Sequence, residues 1–196
     1  FPTRRSSDLQ PFTLIGATTK SGMISAPLRT RFGITERLEY YTDQELADIV
    51  TQSARYLSIV IDANAAFHIG KCSRGTPRIA KKLLRRVRDF AQVKHISTIS
   101  IDLTREAFEF LGIDEEGLNR IDNMLLQKIV EHFNGGPVGL ETLACLIGED
   151  SETVENVYEP YLLRKGYLEK TTRGRQIPHT KLLALKNKFL GQKTII

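Results

Sequence analysis

Four groups of residues in this chain have the types and spacing that phosphate chemistry uses. Arg29 and Arg31 lie two apart in Pro27-Leu28-Arg29-Thr30-Arg31-Phe32-Gly33. A guanidinium is always charged and presents a fork of donors, which suits a phosphoryl group in transit. The same pair would serve equally well as partners in ordinary surface ion pairs. Arg78 follows Thr76 and Pro77, a capping residue type and a proline suited to the first helical position, so it belongs in a helix's first turn. Unpaired N–H groups and the dipole there favour an anion, and a cation is at ease only beside a phosphate or pointing away. The neighbouring Lys81, Lys82, Arg85, Arg86 and Arg88 offer the plainer alternative of a solvated helix face. Thr18 and Thr19 close an apolar run, where strand ends hold ligands in α/β proteins, although threonine is also common in turns.

The fourth group is a basic hairpin. Residues 167–177 read as two strands around a turn, with Lys170, Arg173 and Arg175 clustered on it and Gly174 at its tip. The helix expected over 151–163 exposes Glu152, Glu155 and Glu159, a face that DNA phosphates would repel. The hairpin rather than that helix is therefore expected to touch nucleic acid, and phosphate contacts of this kind carry little sequence preference. A module of the same shape used for protein contacts is the alternative. Other motifs lead nowhere. In Gly16-Ala17-Thr18-Thr19-Lys20-Ser21 the Lys-Ser pair is present, but Thr19 stands where a P-loop needs its second glycine. Asp62 ends an apolar run without a second acid after it, and the four histidines and two cysteines are not spaced to hold zinc. No metal ligands are expected, and nothing in the sequence holds a nucleotide unaided.

The elements that must position these groups follow from periodicity. Leu46, Ile49, Val50 and Leu57 mark an amphipathic helix entered after Thr42, residues 63–72 a shorter one, and Ile79, Leu83, Val87, Phe90 and Ala91 the buried stripe of the helix that begins at Thr76. Residues 104–111 give a fourth. Ile121, Leu125, Ile129 and Phe133 form another stripe, ended by Asn134-Gly135-Gly136-Pro137. A helix near 140–147, a turn at Gly148-Glu149-Asp150 and the 151–163 helix precede the hairpin. Three helices and a basic hairpin are the winged-helix pattern, a helix-turn-helix variant. A short buried strand is expected at 12–15 and a second strand at 34–41. Residues 1–9 have no period, read as an artefactual or non-native segment, and a start on a core strand near residue 10 reads as a cut edge.

The chain has 196 residues and a net charge of +5, with ordinary hydrophobic and charged fractions of 41% and 26%. These values exclude a disordered tail, a collagen-like fibre and a disulfide scaffold. No apolar run approaches a membrane span, so a soluble intracellular protein with no membrane partner is expected. Cys72 and Cys145 read as small core residues in a reducing compartment. Charge is sorted along the chain. Residues 114–163 hold two basic and eleven acidic groups, whereas 164–196 hold nine and one.

Taken in order, Phe12-Thr-Leu-Ile-Gly-Ala-Thr-Thr19, Ala26-Pro-Leu-Arg-Thr-Arg-Phe-Gly33, Arg74-Gly-Thr-Pro-Arg-Ile-Ala80, Gly135-Gly-Pro-Val-Gly-Leu140, Glu159-Pro-Tyr-Leu162 and Arg173-Gly-Arg175 closely resemble the RuvB family, bacterial AAA+ motors of Holliday-junction branch migration. The resemblance covers about residues 10–185. It implies a mainly α protein with little β: the end of an AAA+ α/β ATPase domain over 10–41, a helical AAA+ lid over 42–113, and a winged-helix DNA-binding head over 114–196. It places Thr18 and Thr19 in the sensor-1 turn, Arg29 or Arg31 as the arginine acting in trans, and Arg31, Tyr41 and Arg78 around the nucleotide, Arg78 as sensor 2. Lys170 and Arg175 match the family's DNA-contacting basic positions, and the hairpin cluster adds Arg173 as an expected DNA contact. Lysine stands at 170 where the family usually has arginine, and loses the planar fork while keeping charge. Thr172 likewise replaces a usual proline. The implied cofactors are ATP and Mg2+. The implied partners are duplex DNA at junctions, RuvA and five further copies in a hexameric ring, in cytoplasmic recombination, repair and the SOS response. The Walker motifs are absent from this sequence, so the chain alone is expected to be inactive. A non-enzymatic winged-helix DNA-binding protein explains about the last 80 residues but leaves Arg78 and the Arg29/Arg31 segment without a purpose, and a clamp-loader-type AAA+ subunit shares the lid but not the basic head.

Overall fold

The computed structural model describes residues 12–19 and 21–191. The expectation about residues 1–9 lies outside them. Two compact units, 1–39 and 40–196, make up the chain. The first holds a single turn of 3-10 helix, Ser21–Met23, and a one-turn helix α1, Ala26–Arg29. The strands expected at 12–15 and 34–41 do not form. Phe12, Leu14, Ile15, Ile34 and Leu38 are exposed, and among the described residues no strand pairs with either segment. An apolar run becomes a strand only where a neighbour takes its N–H and C=O groups.

The second unit contains two hydrophobic cores. The first is built by α2 (Asp43–Tyr56), α3 (Ala63–Lys71), α4 (Pro77–Val93) and α5 (Ile101–Phe110). Thr42 opens α2 with a reciprocal capping box: its side chain accepts from the Glu45 N–H while Glu45 accepts from the Thr42 N–H. Leu57 caps the far end and is only half covered. Leu46, Val50, Ile69, Leu84, Val87 and Phe108 fill the centre, each large side chain contributing roughly 1.5–3 kcal/mol on burial. On α4 the buried stripe is rotated slightly towards Ala80 and Leu84, leaving Ile79 and Phe90 at its margin. Two-residue strands β1 (Val60–Ile61) and β2 (Thr98–Ile99) pair in parallel beside these helices.

The other core belongs to α6 (Arg120–Phe133), α7 (Leu140–Ile147) and a broken third helix, followed by strands β3 (Glu169–Thr171) and β4 (Gly174–Gln176). The broken helix is α8 (Ser151–Thr153), a π-helical stretch Val154–Tyr158, and α9 (Glu159–Arg164). Pro160 supplies the reason: it lacks an N–H, its ring would strike the carbonyl four residues back, and a wider turn before it relieves both. Unforeseen from the sequence, α10 (His179–Leu190) packs Leu182, Leu185 and Phe189 onto this core. The apolar residues of α10 are spaced by three and four among lysines, a stripe too sparse to stand out. Cys72 is buried as expected, but Cys145 faces solvent on α7, because Leu143, Ala144 and Ile147 take that helix's inward positions. The architecture is mainly helical, with a helical bundle followed by a winged helix.

Candidate functional site

The arginine group of the first unit is displayed rather than packed. Arg29 ends α1, and its Nη2 donates to the Ser21 carbonyl at 2.6 Å. Arg31 is exposed two residues later, as are Thr18 and Thr19. In the second unit, Arg78 is the second residue of α4, solvent-exposed, and makes no ion pair among the described residues. Thr76 occupies the cap position, but its side chain makes no capping bond to the first turn; its hydroxyl instead donates to the Ser73 carbonyl at 3.4 Å. That end of α4 therefore offers N–H groups not capped by a side chain, no acidic residue and a free guanidinium, a set suited to a polyanion. Arg78, Lys81, Lys82, Arg85 and Arg86 line one open cleft along it. Tyr41 is brought to the same loop, its N–H donating to the Gly75 carbonyl at 3.1 Å.

At the hairpin the register is Glu169 with Gln176, Lys170 with Arg175, and Thr171 with Gly174. The tip is thus Thr172-Arg173, and Gly174 begins β4 rather than crowning the turn. Gly174 is required there for another reason. At φ +131° a Cβ on it would lie 2.4 Å from the Val138 carbonyl oxygen, and Val138 is where the chain after α6 joins the wing by exchanging two 2.8 Å hydrogen bonds with Arg175.

Glu159 reverses the expectation made for it. It is fully buried rather than exposed, because the wing folds back onto α9. Arg175 Nε donates to its Oε1 at 2.6 Å, and Lys170 Nζ stands 2.9 Å from its Oε2. Lys170 also reaches Glu155 at 2.9 Å. The carboxylates of Glu159 and Glu155 raise the Lys170 pKa, and Lys170 in turn lowers that of Glu155. Two of the three wing cations are therefore held by carboxylates, and only Arg173 at the tip is exposed without an ion pair among the described residues. The positive tail is tied in the same way, since Lys188 of α10 donates to Asp114 and Asn123 at 2.8 Å. Sequence reasoning missed these anchors because an acid in an acidic stretch looks like a solvated one. Among the described residues no three His, Cys, Asp or Glu side chains converge as a metal site would need, and no helix is long and apolar enough to cross a membrane.

Comparison with known proteins agrees with this geometry. The model for the RuvB AAA lid domain matches residues 41–114, that for the RuvB C-terminal winged helix domain residues 115–186, and that for the Holliday junction DNA helicase RuvB P-loop domain residues 2–38. The Thermotoga maritima RuvB, described as a Holliday junction branch migration motor, is 47% identical with a TM-score of 0.79, covering 91% of this chain and 60% of that one. Two variants of that protein are 46% identical at the same TM-score, covering 91% and 92% of this chain and 60% of theirs. The chain spans about three fifths of the length of these relatives. With successive matches to the family's three domains and a shared fold at nearly half identity, this chain belongs to the RuvB family.

Proposed function

We propose that these residues serve an ATP-dependent DNA translocase that drives Holliday-junction branch migration, working as a hexameric ring with RuvA in cytoplasmic recombination and repair, the SOS response included. The observation that carries the reading is that one compact unit joins an uncapped, cationic helix end bearing Arg78 to a winged helix bearing an exposed arginine at its tip. In this reading 10–41 belong to the ATPase domain, 42–113 form the lid and 114–196 the head. Tyr41 and Arg78 are nucleotide-binding residues of the lid, Arg31 is a nucleotide-binding residue of the ATPase domain, and Thr18 and Thr19 act as its sensor-1 residues. Arg29 or Arg31 is presented to the nucleotide of a neighbouring copy. The described residues fit the phosphates by charge but hold no metal cluster, so no step is assigned to a magnesium ion held by them. Nor does this sequence contain a G-x-x-x-x-G-K-[ST] loop, and we expect the chain alone to show no ATP turnover.

On the head, Lys170 and Arg175 shape the wing while Arg173 meets the duplex backbone, with Lys170 close enough to the surface to join it. Replacing Arg173 by alanine in this chain should weaken binding alike on unrelated duplexes and reduce the slope of log K against log salt by about 1. Fluorescence anisotropy at several salt concentrations reads both, and an unchanged slope would move the DNA contact off the wing tip. The reading as a whole is tested with a full RuvB chain carrying these residues on a synthetic four-way junction. ATP-dependent movement of the branch point is expected, and hydrolysis or duplex binding without movement would overturn it.

A further inference from the structure

The loop that delivers Arg78 is gripped from the head by both its side chain and its backbone. Arg74 and Gly75 adopt φ values of +54° and +73°, an unfavourable conformation for arginine that persists only where the surroundings over-determine it. The Arg74 guanidinium donates to the fully buried Asp122 Oδ2 in the first turn of α6 and to the Gly117 carbonyl at 3.2 Å. It also lies 4.5 Å from the centre of the Tyr161 ring, whose hydroxyl donates to the Glu116 carbonyl at 2.7 Å. The Arg74 carbonyl accepts from Arg164 Nη2 of α9 at 2.6 Å, and that guanidinium stacks 3.7 Å from the Tyr40 ring centre. Gly75 follows with no room for a side chain, since a Cβ would meet Tyr40 at 2.9 Å. Asp122 is occupied on its own helix too, accepting the Asn119 N–H as the acid of a capping box.

From this we infer that Arg74 is a positioning residue that locks the nucleotide-facing end of α4 to the winged-helix head, so that the two cores of this unit turn as one body. The inference rests on the reading proposed above for its functional consequence, but not for its geometry. A buried ion pair gives directional specificity because either member alone is a stranded charge. Stacked guanidinium and phenol rings add attraction that resists sliding. The surface pairs nearby, Lys71 with Glu116 at 3.0 Å and Arg105 with Glu115 at 3.2 Å, are solvent-screened and add little. Rotation of the helix end that carries Arg78 would therefore reach the wing through α6 and α9 rather than being absorbed at the linker.

The test uses this chain with Cys145→Ala and spin labels at Lys81→Cys on α4 and Glu152→Cys on the head, both exposed positions. The native Cys72 stays unlabelled, since burial pushes its thiol up to about 12. Pulsed electron–electron resonance should give one narrow distance distribution. Arg74→Met should lose the narrow peak, and Arg74→Lys, which keeps the charge, should recover part of it. An unchanged distribution in Arg74→Met overturns the inference. Should that variant fail to fold, Arg164→Met decides, since Arg164 is exposed and outside the buried pair: broadening supports the lock and a narrow peak overturns it. In a full RuvB chain, Arg74→Met should retain ATP hydrolysis while junction movement per ATP falls by about tenfold. If the unaltered full chain moves no junctions, the motor reading fails while the distance result stands. If Arg74→Met moves them as efficiently, the lock fails.

Discussion

Replacing Arg78 with alanine in a full RuvB chain carrying these residues should lower ATP turnover by about 100-fold or more, the scale seen when one preorganised donor to developing charge is removed, while duplex binding by the head stays within about twofold. The asymmetry follows from placement. Arg78 is exposed on the second residue of α4, spends its charge on no carboxylate among the described residues, and shares its helix end with N–H groups that no side chain caps. Its side chain packs into neither core, so its loss leaves the lid folded. Steady-state hydrolysis together with fluorescence anisotropy on duplex separates the two quantities. Turnover retained near the unaltered rate would leave Arg78 as one more solvated cation on the basic face of α4.

Arg175→Ala is expected to act on stability rather than on DNA alone, costing the head about 3 kcal/mol because it removes one member of a buried pair. The Arg175 side chain is 16% exposed and that of Glu159 is 0% exposed, so the carboxylate would be left with Lys170 alone. Lys170 has 43% of its side chain in solvent and cannot replace the lost fork. Denaturant unfolding of this chain measures the loss. Adding Glu159→Gln to the variant should recover part of it, since the stranded charge is then gone. A midpoint equal to that of the unaltered chain would mean that the wing is held by the Val138 ladder and Gly174 contact alone. The result also separates Arg175 from Arg173, whose loss should change salt dependence but not the midpoint.

What could be read from the sequence depended on whether the signal was local. The α2 helix was legible because Thr42, the acids of its first turn and the spacing of Leu46, Ile49 and Val50 all lie within one segment, and the capping box formed as those residues allow. The α7 helix was legible at its far end, where Gly148 turns the chain left-handed. The 12–15 segment carries the apolar run of a strand and 34–41 carries strand-forming Ile34, Thr35, Tyr40 and Tyr41, but neither carries the neighbours that make strands, and neighbours are not encoded locally. The winged-helix pattern was visible, yet its polar anchors were not. Glu159 lies in an acidic stretch and meets its cations 11 and 16 residues later, while Arg74 meets Asp122 across 48 residues. Tyr161 lies in the same acidic helix, and nothing local marks its hydroxyl and ring as serving the Arg74 loop. Pairings at such range follow from topology, which periodicity does not supply.

The proposed contact between the head and the duplex backbone is what would join these residues to a DNA motor, and it can be measured on the chain as it stands. Two unrelated duplexes of equal length, titrated by fluorescence anisotropy across a series of salt concentrations, should give the same affinity at each salt and one common straight line of log K against log salt with a negative slope. Binding confined to one of the sequences, or an affinity indifferent to salt, would contradict the account.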